Sequence, residues 1–209
     1  SHSENPHLRD TENLDQSIVA IAAELKSLHP KDAYALAACA NCHYDAFEQF
    51  RTSVHGVELF EKHSGDVAYC TKCHGSPHYI KPKTDPLAAT YYSNIPAMCG
   101  KCHGDSEIVS KYKLNSHVLE EYNESFHGKK LILGSSKVAV CTSCHGAHAV
   151  VSPRDSERFL GNLSSVCGRC HEGATAKFAQ AFTHIPVSEH QIKIVYQTEK
   201  FFGLLLVFV

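Results

Sequence analysis

Five short segments constrain this chain more than anything else in it. They are CANCH (Cys39 to His43), CTKCH (Cys70 to His74), CGKCH (Cys99 to His103), CTSCH (Cys141 to His145) and CGRCH (Cys167 to His171). Together they use all ten cysteines. The pattern C-x-x-C-H is the attachment signature of c-type haem. Residues three apart on a helical turn share a face, so both thiols of a pair can add to the two vinyl groups of one porphyrin. The histidine behind the second thiol then supplies an axial nitrogen to iron. Structural zinc also uses C-x-x-C pairs, but two pairs make one site and five leave one over. Zinc gives no reason for a histidine after every second cysteine, and a disulfide framework does not enforce the spacing. We therefore expect five covalently bound c-type haems. Their thioether residues are Cys39, Cys42, Cys70, Cys73, Cys99, Cys102, Cys141, Cys144, Cys167 and Cys170, and their proximal ligands His43, His74, His103, His145 and His171.

The sixth ligands come from the remaining histidines. There are sixteen in all and a single methionine, Met98, which directly precedes Cys99 and is badly placed to reach across its own haem. Bis-histidine ligation follows, and it biases potentials low relative to His/Met cytochromes. His148 lies three residues after His145, and His78 four after His74. On a continuing helix His145 and His148 share a side, so the macrocycle stands between His148 and its own iron. The same reasoning is extended to His78. Each can reach the iron of a different haem, with Gly75 and Gly146 allowing close approach. His55, in TSVHG, and His127, in ESFHG, recur at matching places between motifs. The expected distal set is His55, His78, His127, His148 and His184. His190, His117, His29 and His63 are reserves, and His2 and His7 lie in the leading segment.

These recurrences amount to an internal repeat. CANCH, TSVHG and CTKCHGSPHYI form one unit; CGKCH, ESFHG and CTSCHGAHAV form a second; CGRCH with AFTHIP is half a third. The organisation read from this is an N-terminal segment over 1–38, di-haem modules over 39–98 and 99–166, a fifth-haem segment over 167–190, and a C-terminal stretch over 191–209. Residues 16–28 read as an amphipathic helix with Ile18, Ile21, Leu25 and Leu28 on one face, ended by Pro30. A second helix is expected from about Asp32 through the first motif to Phe50. Beyond it the segments are short and rich in Gly, Ser, Pro and Lys. The expected fold is mainly α with much irregular structure, a multihaem cytochrome c whose core is filled by porphyrin.

Net charge is −2 at pH 7 with neutral histidines, which gives no footprint for nucleic acid or an anionic membrane surface. Lys72, Lys101, Lys111, Lys113, Lys129 and Lys130 are candidates to offset haem propionates or to stand as solvated surface charge. Haem attachment implies an extracytoplasmic location, with any signal peptide removed ahead of Ser1. The apolar run FFGLLLVFV (Phe201 to Val209), flanked by Lys193 and Lys200 with Tyr196 at an interfacial position, is expected to open a membrane helix.

The residues CGKCHGD, YNESFHG, VAVCTSCHGAHAV, CGRCH and an AFTH…H segment resemble a multihaem cytochrome c with doubled CxxCH motifs. More narrowly, they resemble the extracytoplasmic haem domain of membrane cytochrome b/c proteins of anaerobic metal- and sulfate-reducing bacteria. The resemblance covers residues 39–209. It implies electron exchange with a membrane cytochrome b or quinone-reactive module, fused downstream or separate, and with a soluble periplasmic or extracellular redox partner. Two other functions compete with this carrier. One is a multihaem reductase of nitrite, hydroxylamine or a sulfur oxyanion, which needs an iron with an open position. The other is a structural subunit relaying electrons within a larger complex.

Overall fold

No apolar stripe in this sequence outlasts a few turns, so its helices start and stop at short intervals. The computed structural model describes residues 19–151, 163–180, 197–198 and 200–205. The protein is mainly helical, with no strand among the described residues. In chain order the helices are α1 (Pro30–Cys42), α2 (Tyr44–Arg51), α3 (Val54–Phe60), α4 (Cys70–His74), α5 (Ile95–His103), α6 (Ser106–Tyr112), α7 (Val118–Glu124), α8 (Phe126–Ile132), α9 (Cys141–His145), α10 (Leu163–Gly168) and α11 (Ala176–Gln180). A short 3₁₀ turn, Tyr92–Asn94, leads into α5.

Among the described residues, a buried apolar cluster gathers side chains from the first third of the chain. Leu25, Leu28, Ala33, Leu36, Ala40, Phe47, Phe50, Leu59, Val67 and Tyr69 are buried together, with Phe60 and Tyr112 packed on them. Phe47 and Phe60 meet edge to face at 5.9 Å, an arrangement that suits the ring quadrupoles. Residues 19–24 are helical, and Leu25 and Leu28 then turn inward rather than continuing the helix. Pro30 does not end that helix. It opens α1, where its missing N–H costs nothing. The expected single helix from Asp32 to Phe50 is two, because His43 adopts φ −110° and ψ 48° between α1 and α2.

The repeat seen in sequence is a structural repeat. Helices α2 and α3 correspond to α7 and α8, each pair joined by a tight turn. Ser53 and Ser125 cap α3 and α8, their side-chain oxygens accepting from Gly56 N–H and Gly128 N–H at 3.1 Å each. A Cβ on Gly56 would strike the Phe50 carbonyl oxygen, and one on Gly128 the Tyr122 carbonyl oxygen. The motif S-x-H-G is thus a device for packing one helix start against the previous helix end. It sets the histidine in the first turn.

Ties also run between the two modules. Val54 N–H donates to the Val150 carbonyl at 2.9 Å. Asp66 accepts from Lys111 Nζ at 2.7 Å and from the Tyr112 hydroxyl at 2.6 Å. Val138 N–H donates to the Tyr92 hydroxyl across the module boundary at 2.8 Å, and within the second module Tyr122 donates to the Ala139 carbonyl at 3.1 Å. Val138 and Val140 are buried ahead of Cys141, as Val67 and Tyr69 are ahead of Cys70.

Candidate functional site

The second and fourth C-x-x-C-H motifs are complete five-residue helices, α4 and α9, and the third ends α5. In α4 and α9 the helix stops at the glycine behind the histidine. Gly75 has φ +81° and Gly146 φ +80°, conformations an L side chain rarely adopts. These glycines were expected to allow close approach. Nothing lies within 4 Å of a Cβ built on Gly75, whereas one on Gly146 would meet the Ala149 carbonyl oxygen at 3.3 Å; the positive φ is common to both. It also changes the argument about His148, which lies past the end of α9 and not on its continuation.

Three of the expected distal histidines stand opposite a motif histidine. The rings of His148 and His74 lie 6.1 Å apart, centroid to centroid, with planes 19° apart. Those of His55 and His103 lie 6.3 Å apart at 70°. His127 and His171 lie 6.1 Å apart at 48°. Two imidazoles on one metal need about 2 Å from metal to nitrogen on each side; adding the short step from each nitrogen to its ring centre gives roughly 6.3 Å. Each of the three pairs therefore has room for one iron.

The electrostatics favour the ligating form. Burial, followed by the like charge of His103, pushes His55 down to about 4. His74 is lowered by burial, then by His148 and His43. Burial lowers His103 too, and His127 is lowered by burial and then by His171. Neutral imidazole is the form that binds metal.

The thiols pair within modules. Cys39 is drawn down to about 7 by a hydrogen bond with Cys70, which is pushed up by the same contact and by burial. Cys141 and Cys99 repeat the arrangement: the bond between them lowers Cys141 and raises Cys99. Each module thus brings together the leading cysteines of its two motifs. None of the ten cysteines is in a disulfide. Arg169, inside the fifth motif, donates to the Ser143 carbonyl inside the fourth at 2.7 Å.

The other candidates are placed differently. His78 is exposed on the loop after α4, and no motif histidine stands opposite it among the described residues. His184, His190, His2 and His7 lie outside the described residues, as do Lys193 and Tyr196. His29 Nδ1 accepts from Lys31 N–H at 3.3 Å, and His117 Nδ1 lies 3.0 Å from Glu120. His63 sits at φ +55° in a turn. Of the lysines, Lys111 pairs with Asp66 and Lys129 with Glu124 at 2.9 Å. Sequence reasoning missed Ser53, Ser125, Gly56 and Gly128, although the recurrence of S-x-H-G carried the signal.

The residues fit haem. Among the described residues no three or more His, Cys, Asp or Glu side chains converge to hold a bare ion. Haem brings four nitrogens of its own and asks two of the protein, which is what each imidazole pair offers. Exposed apolar side chains are also at hand: Tyr79 and Leu87 after the second motif, and Phe126, Ile132 and Leu133 around α8. Phe126 lies beside His127, with ring centroids 6.4 Å apart. A cavity of about 430 Å³ opens at the fifth motif, lined by Cys170, His171, Glu172 and Phe178 among others. Comparison with protein-family models, curated proteins and solved structures finds no match.

Proposed function

We propose that this chain is a pentahaem c-type cytochrome that carries electrons between a membrane quinone-linked partner and periplasmic or extracellular acceptors. The observation that carries the reading is the set of three imidazole pairs at 6.1–6.3 Å, each joining a C-x-x-C-H histidine to a histidine outside the motifs. The paired cysteines would form the thioethers, and His43, His74, His103, His145 and His171 would be the first histidine ligands. His55, His127 and His148 would supply second ligands, with His78 and His184 completing the set. Bound in this way, haem supplies a one-electron Fe(III)/Fe(II) couple. With two strong-field imidazoles the bound group would be low-spin in both states, so the chain's task would be to space, orient and tune it.

Residues 200–205 are helical, and Phe201, Phe202, Leu204 and Leu205 are exposed, which supports an apolar docking or anchoring end. No helix among the described residues is long and apolar enough to cross a membrane. The proposal places the membrane-facing contact in the apolar run from Phe201 to Val209.

Haem content by pyridine haemochrome, with optical and EPR spectra of the oxidised protein, tests the reading. We expect five haems per chain, matching the five motifs, low-spin throughout, and rapid reduction by a quinol analogue through the membrane partner. A haem content far from five would sink it. A high-spin ferric signal in the untreated protein that binds nitrite or hydroxylamine would transfer the assignment to the reductase.

A further inference from the structure

We infer that the two di-haem modules exchange axial ligands. His55 of the first module serves the haem of the Cys99–His103 motif in the second, and His148 of the second serves the haem of the Cys70–His74 motif in the first. His127 extends the exchange to the Cys167–His171 motif. The assignment rests on the pentahaem reading and goes beyond it, because the motifs alone leave every distal partner open.

Three independent features converge on this. The first is distance: each imidazole pair has the separation that a shared iron requires, and each joins residues from different units. The second is the repeat. The S-x-H-G histidine of unit one meets the leading motif of unit two, and that of unit two meets the leading motif of unit three. One rule, applied twice, gives both pairs. The third is a shared anchor: Val54, next to His55, is hydrogen-bonded to Val150, two residues past His148. The two histidines exchanged between modules therefore sit on either side of a single backbone junction, and neither can move far without the other.

Ring orientation supplies a spectroscopic label. The d orbitals that π-bond with imidazole are split most when the two ligand planes are parallel and least when they are perpendicular. The His74/His148 pair, at 19°, should give an ordinary rhombic low-spin EPR signal. The His103/His55 pair, at 70°, should give a strongly anisotropic signal with a large maximum g value.

The test uses the full-length, haem-loaded protein. His148→Gly should convert one haem per chain to high-spin, remove a rhombic signal, and be returned to low-spin by added imidazole. His55→Gly should do the same to a large-g signal. Serines at Cys70 and Cys73 (C70S/C73S) abolish attachment at the second motif; in that background His148→Gly should add no high-spin haem. If that background does not accumulate, the signals lost in the single variants decide. The exchange is overturned if His148→Gly creates no high-spin haem, if it still creates one without the second motif, or if the two variants lose each other's signals. A parent protein without haem would refute the pentahaem reading instead, and the haemochrome measurement detects that separately.

Discussion

His55 and His127 hold equivalent positions, second in helices that a buried or half-buried serine caps. The cap fixes where α3 and α8 begin, and so where each imidazole points along its helix. Ser53 is only 3% exposed, and its side-chain oxygen accepts from Gly56 N–H. Ser53→Ala should cost about 0.5–2 kcal/mol, the usual worth of an N-cap, read by chemical denaturation followed in the far ultraviolet. On the pentahaem reading it should also loosen the low-spin signal assigned to the haem between His55 and His103. An unchanged midpoint and spectrum would show that the cap does not hold the ligand. Asn41, inside the first motif, presents the opposite case: its amide nitrogen is buried without a hydrogen-bond partner. Such a donor is costly unless something accepts from it.

At the scale of elements, the connection between α6 and the loop before α4 is electrostatic. Lys111, then Tyr112, holds the Asp66 carboxyl below its ordinary range through hydrogen bonds. A depressed carboxyl contributes stability that is fully present above its unfolded value, near 3.8, and that is lost as pH falls through the lower folded value. Asp66→Asn should therefore lower stability at neutral pH, and the gap from the parent should close in strong acid. An acid titration of thermal stability for both proteins measures it; a gap that persists at low pH would mean the carboxylate is not the cause. The groups involved are exposed, so the effect is modest and shrinks with added salt. Elements of this kind were only partly legible in the sequence. Helices α4 and α9 coincide with their motifs because the Cys and His spacing needs a helical turn and the following glycine stops it. The split at His43 and the role of Pro30 were not legible, since a short helix has too few residues for periodicity to locate its ends. Pairing of His148 with His74 left no local trace at all, because it is made by how the modules pack.

Over the whole molecule the five motifs run in chain order. Cys39 contacts Cys70, Cys73 lies near enough to Cys102 to feel its charge, Cys99 contacts Cys141, and Cys144 feels Cys167. Only Cys42, in the first motif, and Cys170, in the last, are exposed among the cysteines. On the pentahaem reading this is an unbranched series with its two ends at the first and fifth motifs. Cys99→Ser with Cys102→Ser should interrupt electron equilibration between the ends, whereas Cys39→Ser with Cys42→Ser should leave the remaining four haems exchanging rapidly. Stopped-flow reduction resolved by wavelength distinguishes the two. Equal effects from both variants would rule out a linear series.

The hydrogen bond between Val54 and Val150 has a consequence in time as well as in space. A chain made N-terminus first presents His74 well before His148 exists. On the pentahaem reading, until the second module has emerged and folded the haem held by His74 would lack its second ligand and stand open to oxygen and other small ligands. On that reading, truncation downstream of the first module would not yield a smaller working carrier. It would yield a reactive one.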